Sequence, residues 1–172
     1  MRSYNGRLAY GTIGNPQTNI MQETYSAKVA ENEENLKAES DAAPLINQSH
    51  IAEMEASGVK FTREDVIFTA KDSTRQVIWL EKGNKTAGYA HLEARGHIGQ
   101  IAKKFGVSES EVPRLIRNVI RDGCIVSNKI KKTNWRDGYE RIYEYNGEHI
   151  LLACIGLNGF LVSAYPLKNG KE

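Results

Sequence analysis

The chain has 172 residues, 40% apolar and 26% charged, with 23 Lys and Arg against 21 Asp and Glu. This balance is ordinary for a globular protein with one sizeable core in one or two domains, and a net charge of +2 does not by itself announce a nucleic-acid binder. No apolar run approaches the roughly 20 residues of a membrane span, and Met1 is not followed by a secretory signal pattern.

Residues 1–22 are rich in turn formers (Gly6, Gly11, Gly14, Pro16) and poor in periodicity, which predicts a loop or irregular segment. Residues 22–42 suit a helix with a weak apolar face, carrying Glu31, Glu33, Glu34, Glu39 and Asp41. Pro44 breaks it, and Ser49 to Ala56 predicts a second short helix stopping at Gly58. Residues 1–58 therefore read as an acidic, helical leader, and residues 59–172 as the main domain.

Past Val59 the pattern changes. Two β-rich runs, Val66 to Ala70 and Gln76 to Glu81, flank Lys71-Asp72-Ser73-Thr74, a hairpin signal. A helix carrying His91 follows, then one with Ile98, Ile101, Ala102 and Phe105 at helical spacing. Ser108 and Glu111 predict a capping box for a further helix, with Val112, Leu115, Ile116, Val119 and Ile120 on its apolar stripe, Pro113 in its early turns and Gly123 at its end. The remainder is strand: Cys124 to Ile130, a basic loop, Tyr139 to Tyr145, an Asn146-Gly147 turn, His149 to Ile155, and a last strand after Asn158-Gly159. Helices preceding an antiparallel meander make an α+β domain.

Two stretches carry candidate chemistry. In the last strand, alternation sets Ser163 and Tyr165 on one face and Phe160, Val162 and Ala164 on the other. Upstream, Gly88-Tyr89-Ala90-His91-Leu92-Glu93-Ala94-Arg95-Gly96-His97 gathers two histidines, a glutamate and an arginine, and Arg95 shares the helical face of His91. Histidines titrating near neutrality, a cation, a hydroxyl and a phenol are the groups that metal-independent RNA cleavage uses. Taken singly, each also has a plainer place as a strand serine, an edge aromatic or a helix histidine. His50 and His149 read as structural. Arg117, Arg121, Lys131, Lys132, Trp135 and Arg136 suit an RNA backbone with one stacking ring, and Arg141, Tyr143 and Tyr145 alternate with Ile142 to form a polar, aromatic strand face. The two cysteines, Cys124 and Cys154, lie in apolar runs without metal-ligand spacing to the four histidines, which implies no metal and leaves a disulfide open.

The order of Asp72, Val77-Ile78-Trp79-Leu80-Glu81, Gly88-Tyr89-Ala90-His91, Arg95-Gly96-His97 and a closing Asn158-Gly159-Phe160-Leu161-Val162-Ser163-Ala164-Tyr165-Pro166 resembles the C-terminal ribonuclease domains of contact-dependent growth inhibition (CdiA) and related polymorphic toxins. These belong to the barnase–EndoU–colicin–RelE (BECR) superfamily. The resemblance covers roughly residues 60–168 and rests on motif order and strand pattern. It implies helices packed on a twisted antiparallel sheet and cleavage of RNA, often tRNA, without metal or cofactor. It also implies a cognate immunity protein over the site, and export within a larger protein for delivery to a recipient cytoplasm. By position, His91 and His97 match the family's two helix histidines, Ser163 its last-strand Ser/Thr and Tyr165 the tyrosine after it. Arg95, Arg117 and Arg141 compete for the catalytic cation. Residues 1–58 take the place of a delivery segment or a plain linker.

A competing class is a DNA-binding regulator. Ile98 to Ile116 looks like a helix-turn-helix, with Ala102 at the close contact, Gly106 in the turn and Ser108 opening the second helix. Glu109 and Glu111 at that helix's reading end would repel phosphates, and a DNA-binding unit gives no reason for the long closing meander.

Overall fold

The computed structural model describes residues 24–35 and 43–168. It divides into two units, Met1–Ala43 and Pro44–Glu172. In the first, residues 24–35 form an exposed helix, α1, within the stretch where a helix is expected. The loop expected over residues 1–22 lies outside the described residues.

The second unit is α+β, as composition and pattern predict. Its elements run α2 (Gln48–Ala56), β1 (Val66–Lys71), β2 (Val77–Glu81), α3 (Tyr89–Ala94), α4 (His97–Phe105), α5 (Val112–Asp122), β3 (Cys124–Lys131), β4 (Gly138–Tyr145), β5 (Glu148–Gly156) and β6 (Leu161–Pro166). Strands β1 and β2 form an antiparallel hairpin, and β3 to β6 form an antiparallel meander in sequence order. The two sheets touch where Trp79 donates its backbone N–H to the Gly159 carbonyl at 3.1 Å, a parallel bridge between Trp79 and Phe160. Only glycine fits position 159: its φ is +102°, and a Cβ would lie 2.0 Å from the Val77 carbonyl oxygen.

Local chemistry accounts for the helix boundaries. Asn47 caps α2 by accepting the Ser49 N–H at 2.9 Å. The Ser108–Glu111 capping box forms, around a single 3-10 turn that leads into α5, and Pro113 falls in the first turn of α5, where its missing N–H has no partner to lose. Gly96, in the left-handed region at φ +70°, lets α3 end and α4 begin at His97 without a linker.

The main core joins Phe68, Ile78 and Leu80 of the hairpin to Leu92, Ile101, Ile116, Ile120 and, from the meander, Tyr143, Ile150 and Leu152. A second cluster packs Ile51 and Met54 of α2 on Val66, Val77 and Trp79. Residues 44–47 are bonded into this unit too: the Leu45 carbonyl accepts from Thr69 N–H at 3.0 Å and the Pro44 carbonyl from Arg117 at 2.9 Å. The boundary expected after residue 58 thus moves to 43/44, because α2 supplies a wall of the core despite its weakly apolar composition.

Candidate active site

The pairing of β4, β5 and β6 sorts their side chains into two faces, since directly opposed residues share a face. Ser163 and Tyr165 stand opposite Ala153 and Leu151, which stand opposite Glu140 and Ile142. On the other face Ala164 opposes Leu152, Leu152 opposes Arg141 and Ile150 opposes Tyr143. This second face carries the main core. Ser163 and Tyr165 therefore project from the sheet on the side away from the core, in the register predicted by alternation. Ala164 is wholly buried while Val162 is only half-buried, so the deep position of the opposite face is Ala164.

Helices α3 and α4 run beside the edge strand β6 and bring their histidines to it. The link is partly main-chain: Gly88 N–H donates to the Val162 carbonyl at 3.1 Å. A side chain at Gly88 is excluded, because its Cβ would sit 2.8 Å from the Glu81 carbonyl oxygen and φ is +82°. The His97 ring then lies 5.3 Å from the Tyr165 ring, centroid to centroid, and the His91 ring lies 6.5 Å from that of His97. Three residues predicted from separate stretches of sequence converge. Ser163 is two residues from Tyr165, about 6.6 Å along an extended strand, and is 9% exposed.

Each histidine is oriented through Nδ1. The Lys85 carbonyl accepts from His91 Nδ1 at 2.8 Å, and Gln100 Oε1 accepts from His97 Nδ1 at 3.2 Å. A carbonyl oxygen only accepts, so Nδ1 carries the hydrogen and Nε2 is left to exchange a proton. Neither orienting group is among the candidates named from the sequence. Gln100 had a signal, the i,i+3 spacing from His97 on one helix; the Lys85 carbonyl had none, because loop closure alone aims it. Arg95 is exposed at the end of α3, its N–H bonded to the His91 carbonyl at 3.1 Å.

The expected RNA-facing arginines divide. Arg141 is 2% exposed and Tyr143 is fully buried, which corrects the expectation of an open platform on β4. Their face is the core face, and Ile142 points the other way. Arg141 Nη1 donates to Asp72 Oδ2 at 2.8 Å and its Nε to Asn128 Oδ1 at 3.0 Å. Tyr143 donates its phenol hydrogen to Asp72 Oδ2 at 2.6 Å. The network neutralises the guanidinium inside the protein, so these residues lock the β1–β2 turn to the meander. Burial first, then the Asp72 acceptor and its charge, push the Tyr143 pKa far up.

Arg117 is corrected likewise. It is 4% exposed, donating to Asn118 Oδ1 at 3.1 and 2.8 Å as well as to Pro44, so it cannot track an RNA backbone. Arg121 is half-buried and paired with Asp122. Lys131 and Lys132 are exposed, as expected, and Lys131 reaches Glu140 at 3.3 Å. Trp135 is 95% exposed.

Cys124 and Cys154 are free thiols, and burial raises the Cys154 pKa against the opposing pull of Arg136 and Lys131. Among the described residues no three His, Cys, Asp or Glu side chains converge as a metal-ligand set, and no helix is long and apolar enough to cross a membrane. Compared with known proteins, the sequence matches no protein-family model and no curated protein.

Proposed function

We propose that residues 44–172 form a BECR-type endoribonuclease domain that cleaves RNA, with tRNA the first candidate substrate. The observation that carries this reading is the convergence of His91, His97 and Tyr165 at the β6 edge, each histidine held through Nδ1. One histidine Nε2 takes the proton of a ribose 2′-hydroxyl, whose oxygen attacks the adjacent phosphorus. The bond to the 5′-oxygen breaks as the other histidine protonates it, leaving a 2′,3′-cyclic phosphate and a 5′-hydroxyl. Tyr165 and Ser163 supply neutral donors to the phosphate oxygens and Arg95 a positive charge beside them. No step in this scheme calls on a metal. A toxin carrying such a site needs a cognate immunity protein over it in the producing cell and a delivery route to the recipient cytoplasm; both rest on the family resemblance.

The DNA-binding alternative is less well supported. Gly106 does close α4 in the left-handed turn that a helix-turn-helix uses, but α5 buries Leu115, Ile116, Arg117, Asn118 and Val119 in succession, leaving little of it to enter a groove.

The test is incubation of purified protein with total tRNA in EDTA, resolved on a gel. Cleavage is expected, and His91→Ala is expected to slow it roughly 10²–10⁴-fold with an unchanged circular dichroism spectrum. A folded His91→Ala protein that cuts at the wild-type rate removes His91 from the mechanism.

A further inference from the structure

A cleft of about 720 Å³ opens at the other end of β6, lined by residues of the segment before β1, of β2, of the β3–β4 loop and of the β5–β6 turn. Phe160 on its wall is five residues from Tyr165, about 16 Å along an extended strand, so the cleft is separate from the histidine cluster. Its volume is in the range of sites that enclose a small organic ligand.

Three of its lining residues are aromatic: Phe61 and Phe160, half-buried, and Trp79, 1% exposed. Trp79 lies between Phe61, with ring centroids 6.5 Å apart, and Phe160, at 5.8 Å. Beside them Glu81 is fixed with an unusual asymmetry. Its Oε1 accepts both the Trp79 indole N–H at 3.0 Å and the Thr62 backbone N–H at 3.1 Å, while Oε2 has no bonding partner among the described residues. A rigid carboxylate thus offers one oxygen to the cleft as a pure acceptor. Asn158 is the complement: its Oδ1 accepts the Phe160 N–H at 3.2 Å, which leaves its NH₂ end to donate. Lys60 and Arg136 add two cations at the lining, and Asp137 a second carboxylate beside Arg136.

We infer that this cleft binds a nucleotide unit. A nucleobase presents a flat apolar surface for the aromatic walls and, on one edge, an N–H donor next to an acceptor, which meets Glu81 Oε2 and the Asn158 amide in turn. Its phosphate answers Lys60 and Arg136. A wholly apolar ligand would leave the Glu81 oxygen desolvated and unpaired. That the physiological occupant is a nucleotide of the RNA substrate, a few residues from the scissile bond, rests on the ribonuclease reading; the cleft's chemistry does not.

The experiment titrates the four 5′-nucleoside monophosphates, ribose 5-phosphate and inorganic phosphate into the whole chain by calorimetry. Trp79 fluorescence in a Trp135→Phe background gives a second readout. At least one monophosphate is expected to bind more tightly than ribose 5-phosphate. Glu81→Gln is the decisive variant: an amide oxygen can keep the bonds from Trp79 and Thr62 while the free acceptor becomes a donor. It is expected to weaken nucleotide binding at least about tenfold, and Arg136→Ala to weaken phosphate-bearing ligands selectively. No binding by a folded protein, equal binding of ribose 5-phosphate, or an unaffected Glu81→Gln would each overturn the assignment. Repeating the titration with His91→Ala separates the two proposals. Nucleotide binding that depends on Glu81 in a chain that cuts no RNA sinks the ribonuclease reading alone, whereas RNA cleavage without nucleotide binding sinks only the cleft.

Discussion

Tyr165 meets His97 ring to ring, so its phenol oxygen can be removed without disturbing that packing. On the proposed ribonuclease mechanism, Tyr165→Phe is expected to keep the fold and slow RNA cleavage about a hundred- to a thousandfold, the usual effect of deleting one donor to a developing phosphate charge. Full activity in the variant would reassign the ring to stacking or packing. Asp72 makes the opposite kind of prediction. Its carboxylate is wholly buried, and it accepts from Arg141 and Tyr143 on one oxygen and from the Thr74 N–H and hydroxyl on the other. Asp72→Ala leaves a buried guanidinium without its counter-charge and is expected to cost about 3–5 kcal/mol of stability, read from urea denaturation. A loss below 1 kcal/mol would mean that water reaches Arg141 in the folded protein. Composition hid this distinction. Arg141, Tyr143 and Tyr145 alternate as a solvated face would, and only the distant Asp72, whose charge makes burial tolerable, reverses which side is inside.

At the scale of elements, most boundaries were legible because each has a local cause: the Asn146-Gly147 turn, the Ser108–Glu111 box, the apolar spacing of α4 and α5. The catalytic candidates on β6 were legible for the same reason, since alternation fixes a strand's faces once the strand is found. What was not legible came from partners remote in sequence. Helix α2 looked like part of a leader, yet Thr69 on β1 holds its start: the Thr69 hydroxyl oxygen accepts the Asn47 N–H at 2.9 Å and lies 3.1 Å from His50 Nδ1. Burial first, and then the positive charge of Lys71, lower the His50 pKa, with Glu53 opposing them. The folded state thus favours the neutral ring. The stability linked to His50 is fully present above its ordinary value near 6.5, and it is lost as pH falls from there through the lowered folded value. Urea midpoints measured from pH 8 to pH 5 are expected to decline in the acid half of that range, less so in His50→Gln. An equal decline in both proteins would place the titrating group elsewhere.

For the whole molecule, the question is where the autonomous unit begins. Three backbone and side-chain bonds tie residues 44–47 to β1 and α5, and α2 then lays Ile51 and Met54, each 2% exposed, over Trp79. A protein starting at Pro44 is therefore expected to unfold in one cooperative step with the midpoint of the full chain. One starting at Val59 loses the burial of two large side chains, at ~1.5–3 kcal/mol each, out of a typical total of ~5–15 kcal/mol. It also removes the carbonyl that Arg117 bonds inside the protein, so the loss should exceed the apolar share alone. Trp79 fluorescence offers a direct readout, since its indole would shift to longer wavelength as α2 is removed. If the shorter protein matched the longer one in midpoint and emission, α2 would be an ornament on a core complete without it. If instead the Pro44 protein were already unfolded, the segment before it would have to contribute packing. Either result moves the boundary of the autonomous unit.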